Sequence, residues 1–272
     1  MEILFSAGFI IREFGAVANL ITIKLHEPLM RMGMRIIEYG KSVIVACDVR
    51  SLEELRRLVE QTCDIYGVGG YKIGSILAIR YGLATIVETI RGFTDLPIIY
   101  DHQKGMTDIP DLAEDFVSML KELHVNALIG FPFSGPLTEE RWIRVCEKIG
   151  LGIIIGGEMT HPKFKRSEGG YISDKALDKI YLLAAKLGVN NFVVPGTKKD
   201  RILYYRKLLE NVNDLTLYIP GLIAQGGVLS EVARVAGPRW HAVIGRTIYA
   251  SLNIRATTME IVNAIISEGG IC

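Results

Sequence analysis

Short apolar, β-branched runs recur along this chain and alternate with stretches of helical period. The runs are SVIVACD (42–48), GGYKIG (69–74), LPIIYD (96–101), ALIGF (127–131), LGIIIGGEM (151–159), NFVVPG (191–196), LTLYIPG (215–221) and HAVIGR (241–246). After the first three come LEELRRLVEQ, ILAIRYGLATIVETI and LAEDFVSMLKEL, whose apolar residues return every three or four positions, as one face of a helix requires. Continuous apolar strands alternating with amphipathic helices predict parallel pairing, because each crossover helix covers a sheet face. Eight such units over residues 41–272 predict an α/β fold, a single (β/α)8 TIM barrel, whose typical size is about 250 residues. A doubly wound open sheet is the alternative. Residues 1–40 are read as an N-terminal extension, and its apolar opening MEILFSAGFIIREFG suits a packing helix.

Polar residues gather at one end of these runs. Asp48, Lys72, Asp101, Glu158 with Thr160, Thr197, Gln225 and Arg246 each lie at or just past a C-terminal end. In a parallel barrel those ends share one face, where active sites of this fold are built. A single charge there is a strand reaching water. A set recurring through nearly every unit predicts a site.

Composition narrows the function classes. With 31 basic and 30 acidic residues, nothing points to a nucleic-acid or anionic-membrane surface. Hydrophobic residues make up 49% of the chain, enough for a large core. No apolar run reaches the roughly 18 residues that span a bilayer. Arg12 and Glu13 interrupt the apolar opening and no clear cleavage site follows, so a cytoplasmic protein is expected. Cys47, Cys63, Cys146 and Cys272 show no CxxC pair and no metal-like spacing; buried, unpaired thiols are the expectation.

The most specific stretch is IPGLIAQGG (219–227) with VIGRTIY (243–249). Its glycines let backbone N–H groups approach an anion closely, and loops after strands seven and eight are where barrels often hold phosphate. Pro220, Gly221, Gln225 and Gly226 of the first loop, with Gly245 and Arg246 of the second, are the candidate contacts. The arginine brings a planar fork of donors suited to phosphate oxygens, and Gln225 an amide N–H. Elsewhere, Asp48, Lys72 and YDHQKGMTDIP (100–110) form an alternating acid–base array around one mouth. A lysine beside carboxylates stays protonated, which suits a general acid or an electrostatic clamp. Carboxylates facing a bound anion raise its ground-state energy, which helps only a reaction that discharges the anion. An ion-pair network at strand ends is the alternative for this cluster.

Together, PGxxxQGG with GRxIY, EMTHP (158–162), VPGTKKDRI (194–202) and an Asp–Lys–Asp cluster ending in DIP resemble the orotidine 5'-phosphate decarboxylase family, from about Val43 to Ile265. The resemblance implies a decarboxylation free of cofactor and metal, giving uridine 5'-monophosphate in a homodimer of (β/α)8 subunits. It implies ribose contacts from Asp48 and Lys72, Asp101 near the departing carboxylate, and Lys104 delivering a proton to C6. Asp108 would reach into the partner's site and Thr160 would meet the pyrimidine edge. Gln225 and Arg246 would hold the phosphate.

The chain departs from the family's D-x-K-x-x-D by one residue in each gap, reading D-x-x-K-x-x-x-D. On a regular strand a spacing of three puts Asp101 and Lys104 on opposite faces; a bulge, or a strand ending at Asp101, restores the geometry. Leu112 stands where a threonine is common, and Ile223 where glycine is. His102 is a further acid–base or orienting candidate, and His161 is expected to position backbone. Two other readings are a metal-dependent neighbour of the superfamily, for which Glu158 is available, and a nucleotide-binding barrel without catalysis.

Overall fold

The computed structural model describes residues 33–103, 105–222 and 226–267, all within one compact unit. Among them eight parallel strands close into a barrel in the order β1 to β8. They are β1 Lys41–Ala46, β2 Val68–Gly74, β3 Ile98–Asp101, β4 Ala127–Gly130, β5 Gly152–Gly156, β6 Asn191–Val193, β7 Thr216–Pro220 and β8 Trp240–Ile244. Closure comes from β8 pairing with β1, Lys41 opposite Trp240 through Val45 opposite Ile244. The open-sheet alternative is thereby set aside, and every apolar run read from the sequence overlaps one of these strands.

The helices are α1 Leu52–Glu60, α2 Ser75–Tyr81, α3 Leu83–Arg91, α4 Ala113–Glu122, α5 Pro136–Ile149, α6 Asp174–Lys186, α7 Lys199–Leu208, α8 Gly226–Ala236, α9 Arg246–Tyr249 and α10 Ile254–Ser267. Local chemistry sets their ends. At α1, Ser51 accepts from the Glu54 amide while Glu54 reaches back to the Ser51 amide, a reciprocal cap. At α5, Pro136 opens the first turn and Gly150 closes it in the left-handed region at φ 72°. The stretch ILAIRYGLATIVETI, expected as one helix, is two. Gly82 sits between α2 and α3 with φ 76°, a conformation an α-helix does not contain.

Two apolar layers hold the fold. The larger packs the outward faces of the strands against the helices. The smaller fills the barrel interior with Ile44, Ile99, Ile129, Phe131, Ile154, Val193, Tyr218 and neighbours. The N-terminal end is capped by the chain entering β1. Ile37 is buried in the interior layer, and Asn191 Nδ2 donates to the Met34 carbonyl at 3.2 Å. Arg239 reaches the carbonyls of Ile37 and Tyr39 at 3.4 Å each. The remainder of the expected extension, residues 1–32, lies outside the described residues, as does Cys272. Cys47 and Cys146 are buried free thiols, and burial pushes each up to about 12. Cys63 is only half-buried, which corrects the expectation for that residue.

Candidate active site

Three strand ends supply the first wall. Lys72 lies on β2, its backbone opposite Ala46 of β1 and Ile99 of β3. Its Nζ stands 3.0 Å from Asp101 Oδ2 and 3.3 Å from Asp48 Oδ1. Burial works against its charge, but Asp101 and then Asp48 outweigh it and hold the ammonium above its usual range. Gly74 makes room for this clamp: a Cβ there would lie 2.7 Å from Asp48 Oδ1. Asp101 closes β3 with a side chain only 13% exposed. Its second oxygen, Oδ1, is buried and has no hydrogen-bond partner among the described residues.

The stretched acid–lysine spacing begins where β3 stops. The strand ends at Asp101, and the Gly105 amide donates to the His102 carbonyl at 2.9 Å. The strand-face argument therefore does not apply beyond Asp101. His102 Nδ1 shares a hydrogen bond with the Tyr100 hydroxyl at 2.9 Å.

The opposite wall comes from β7 and β8. Pro220 ends β7, and Gly221 follows at φ 83°, where a side chain would be strained. A Cβ there would also lie 3.2 Å from Thr197 Cγ2 and 3.4 Å from Thr160 Cγ2. Gly226 opens α8 directly after this loop. Gly245 caps α9, whose first residue is Arg246. Arg246 forms no ion pair with any described residue.

Asp48, Lys72, Asp101, Thr160, Pro220, Gly221, Gly245 and Arg246 all line one cavity of about 400 Å³, floored by Ala46, Ile129, Phe131, Val193 and Val243 of the interior layer. Asp108 does not line it. That residue is exposed, and its carboxylate accepts from the Ile109 amide at 2.7 Å. Lys104 and Gln225 lie outside the described residues.

Glu158 lines the same cavity at the end of β5, but its carboxylate is fully engaged. Lys165 Nζ stands 2.9 Å from Oε1, and Arg201 Nε and the Tyr205 hydroxyl donate to Oε2 at 2.7 and 2.6 Å. Burial pushes this carboxyl up, yet Tyr205, Lys165 and Arg201 together bring it below its usual range. Lys165 also stands 3.5 Å from Glu168, which Lys198 meets at 2.6 Å, so a ladder of alternating charge ties the β5 and β6 loops. Sequence reasoning missed Lys165, Arg201 and Tyr205. The available signal was Arg201 and Tyr205 four apart on one helix face. His161 packs edge-on against Phe164, with centroids 5.5 Å apart.

This donor set suits anions better than cations. Lys72 already fills the space between two carboxylates, and Glu158 is neutralised by two cations. Among the described residues no group of three or more His, Cys, Asp or Glu is placed to hold a metal ion.

Fold and site together define a (β/α)8-barrel protein with a charged pocket at its C-terminal mouth. The family described as orotidine 5'-phosphate decarboxylase / HUMPS matches residues 41–261, and the chain belongs to it. The orotidine 5'-phosphate decarboxylase of Methanosarcina mazei is 29% identical over 232 residues, covering 85% of this chain and 98% of that protein. The enzyme of the same name from Thermococcus kodakarensis is also 29% identical, covering 82% and 96%. A crystal structure of orotidine 5'-monophosphate decarboxylase from Methanocaldococcus jannaschii, complexed with inhibitor BMP, matches with a TM-score of 0.72. At 23% identity over 84% of this chain and 99% of that one, it shows likeness of fold.

Proposed function

We propose that the protein is a carboxy-lyase that decarboxylates orotidine 5'-monophosphate to uridine 5'-monophosphate in pyrimidine biosynthesis. The observation that carries this reading is Lys72 held between Asp48 and Asp101 in the cavity that also contains Arg246, which has no ion pair among the described residues. A phosphate grip at one end and, at the other, a carboxylate with one oxygen unbonded among the described residues suit a substrate bearing a phosphate and a carboxylate.

In the proposed chemistry Arg246 and Gln225, with the backbone of Gly221 and Gly226, hold the phosphate. Asp48 and Lys72 meet the ribose hydroxyls and Thr160 the pyrimidine edge. Asp101 faces the substrate carboxylate, so binding at the distant phosphate offsets repulsion at the reacting end, and loss of carbon dioxide relieves it. The bond from C6 to the carboxylate breaks with its electron pair remaining on C6. The Lys104 ammonium then gives a proton to C6. No cofactor or metal takes part.

The reading also takes the enzyme to be a cytoplasmic homodimer in which Asp108 completes the partner's site. In support, Asp108 is exposed and does not line its own cavity, and apolar Ile76, Ile109 and Leu112 are exposed. The test begins with the absorbance of orotidine 5'-monophosphate under dialysed, metal-free conditions, where turnover is expected. Lys104→Ala is expected to lower kcat by about a hundred- to ten-thousand-fold while product still binds. Unchanged turnover would remove the proton-donor assignment. Mixing the separately inactive Lys104→Ala and Asp108→Asn proteins restores about a quarter of wild-type activity if sites are shared, since half the dimers are mixed and each has one intact site. No recovery in demonstrably mixed dimers would reject the shared site.

A further inference from the structure

The turn that leaves β3 is pinned on both flanks. On one side the His102 ring lies between Tyr100 and Phe116, with centroids 5.1 and 5.0 Å away, and Phe116 packs on Trp142 at 5.2 Å. On the other side, a Cβ at Gly105 would lie 2.8 Å from the His102 ring and 3.4 Å from that of Trp142. The backbone there is seated directly on the two rings. A side chain presented from such a turn has little backbone freedom left to lose when it meets a ligand.

Gln103 is presented from this turn. It lines the 400 Å³ cavity and also an adjoining one of about 380 Å³, and the wall common to both is Asp48, Lys72, Asp101 and Gln103. The three charged members of that wall engage one another. The Gln103 amide, half-buried, makes no hydrogen bond with any described residue. It offers two N–H donors and a carbonyl acceptor, so it can both give to and take from a neutral hydroxyl.

We infer that Gln103 is a specificity-determining residue that reads the 2'-hydroxyl of the bound nucleotide and sets a preference for ribose over 2'-deoxyribose. The inference rests on the decarboxylase reading. Under it, the sugar lies against Asp48 and Lys72, and the base presents its carboxylate to Asp101. C2' is bonded to C1', which carries the base, so the 2'-hydroxyl is the one nearer the Asp101 and Gln103 end of the wall. The 3'-hydroxyl faces Asp48.

The test compares kcat/KM for orotidine 5'-monophosphate and its 2'-deoxy analogue in the wild type and in Gln103→Ala. Binding of uridine 5'-monophosphate and 2'-deoxyuridine 5'-monophosphate is measured by calorimetry in parallel. The variant is expected to lower the ribo-to-deoxy ratio by about three- to tenfold, the effect of one neutral hydrogen bond, chiefly through KM. The 2'-deoxy values themselves should stay where they were. A ratio that is unchanged, or equal losses on both sugars, overturns the inference. If the wild type binds both products but turns over neither substrate, the decarboxylase reading fails and the calorimetric ratio still decides the role of Gln103. A protein that binds no nucleotide overturns both.

Discussion

Lys72 and Asp101 meet at 3.0 Å from neighbouring strands, and the ammonium contacts only one oxygen of that carboxylate. The other oxygen is buried, has no hydrogen-bond partner among the described residues, and belongs to a residue that lines the pocket. Leaving it so costs on the order of 1–3 kcal/mol, which the fold bears at the place where the chemistry is proposed.

The pair makes a prediction about folding separable from catalysis. Lys72→Met leaves Asp101 as a buried charge without its cation, and a loss of about 3–5 kcal/mol is expected. Adding Asp101→Asn should recover most of that stability and none of the turnover. Urea unfolding of wild type, single and double variants measures this. Equal stability of the single and double variants would show that the pair is not coupled.

Arg246 predicts the opposite division. It holds no ion pair with the described residues, so Arg246→Ala should leave the thermal midpoint nearly unchanged. Nucleotide affinity should fall by about ten- to a hundredfold, the worth of a charge-assisted hydrogen bond to phosphate. Raising the salt concentration should narrow the gap between variant and wild type. Comparable affinity for uridine and its 5'-monophosphate in the wild type would remove the phosphate grip.

Glu158 supplies an acid-side prediction. Its cations and Tyr205 hold its folded pKa below the usual 4.5. Its contribution is therefore present above that value and is lost as pH falls through the folded one. Arg201→Met should cost about 1–3 kcal/mol at pH 7, and should flatten the acid limb of the stability curve because less of the shift remains. Denaturant midpoints at neutral and acid pH decide it; parallel limbs in the two proteins would contradict the assignment.

The barrel was legible because parallel strands buried on both faces must be written as continuous apolar runs, and all eight were. The pocket was legible to the extent that a polar residue closed nearly every run: Asp48, Lys72, Asp101, Thr160 and Arg246 meet in one cavity. What escaped depends on distance in space rather than along the chain. Glu158 reads as a free carboxylate until Lys165 from its own loop and Arg201 from α7 are seen on it. The break at Gly82 escaped because a glycine inside a helical period is as compatible with a weak helix as with a left-handed junction. Gln103 escaped because a neutral amide in a charged motif carries no pattern. Its meaning comes from the turn that seats it.

Glu139, in the first turns of α5, gives the last prediction. Its side chain is buried, its Oε1 has no hydrogen-bond partner among the described residues, and burial pushes its carboxyl up to about 8. The folded chain therefore carries this proton at neutral pH, whereas the unfolded chain releases it near 4.5. Stability from this group is complete below the unfolded value, where both states are protonated. It declines between there and about 8 by up to about 1.4 kcal/mol per pH unit, a few kcal/mol in all, because only the unfolded chain loses the proton. Glu139→Gln, which is neutral at every pH, should unfold like the wild type near pH 4 and withstand more denaturant near pH 8. Nucleotide turnover should be the same in both, since Glu139 lies outside the cavity. Stability curves for the two proteins that run parallel from acid to alkaline pH would show that Glu139 is ionised in the fold, with a charge partner between α5 and α6 to account for it.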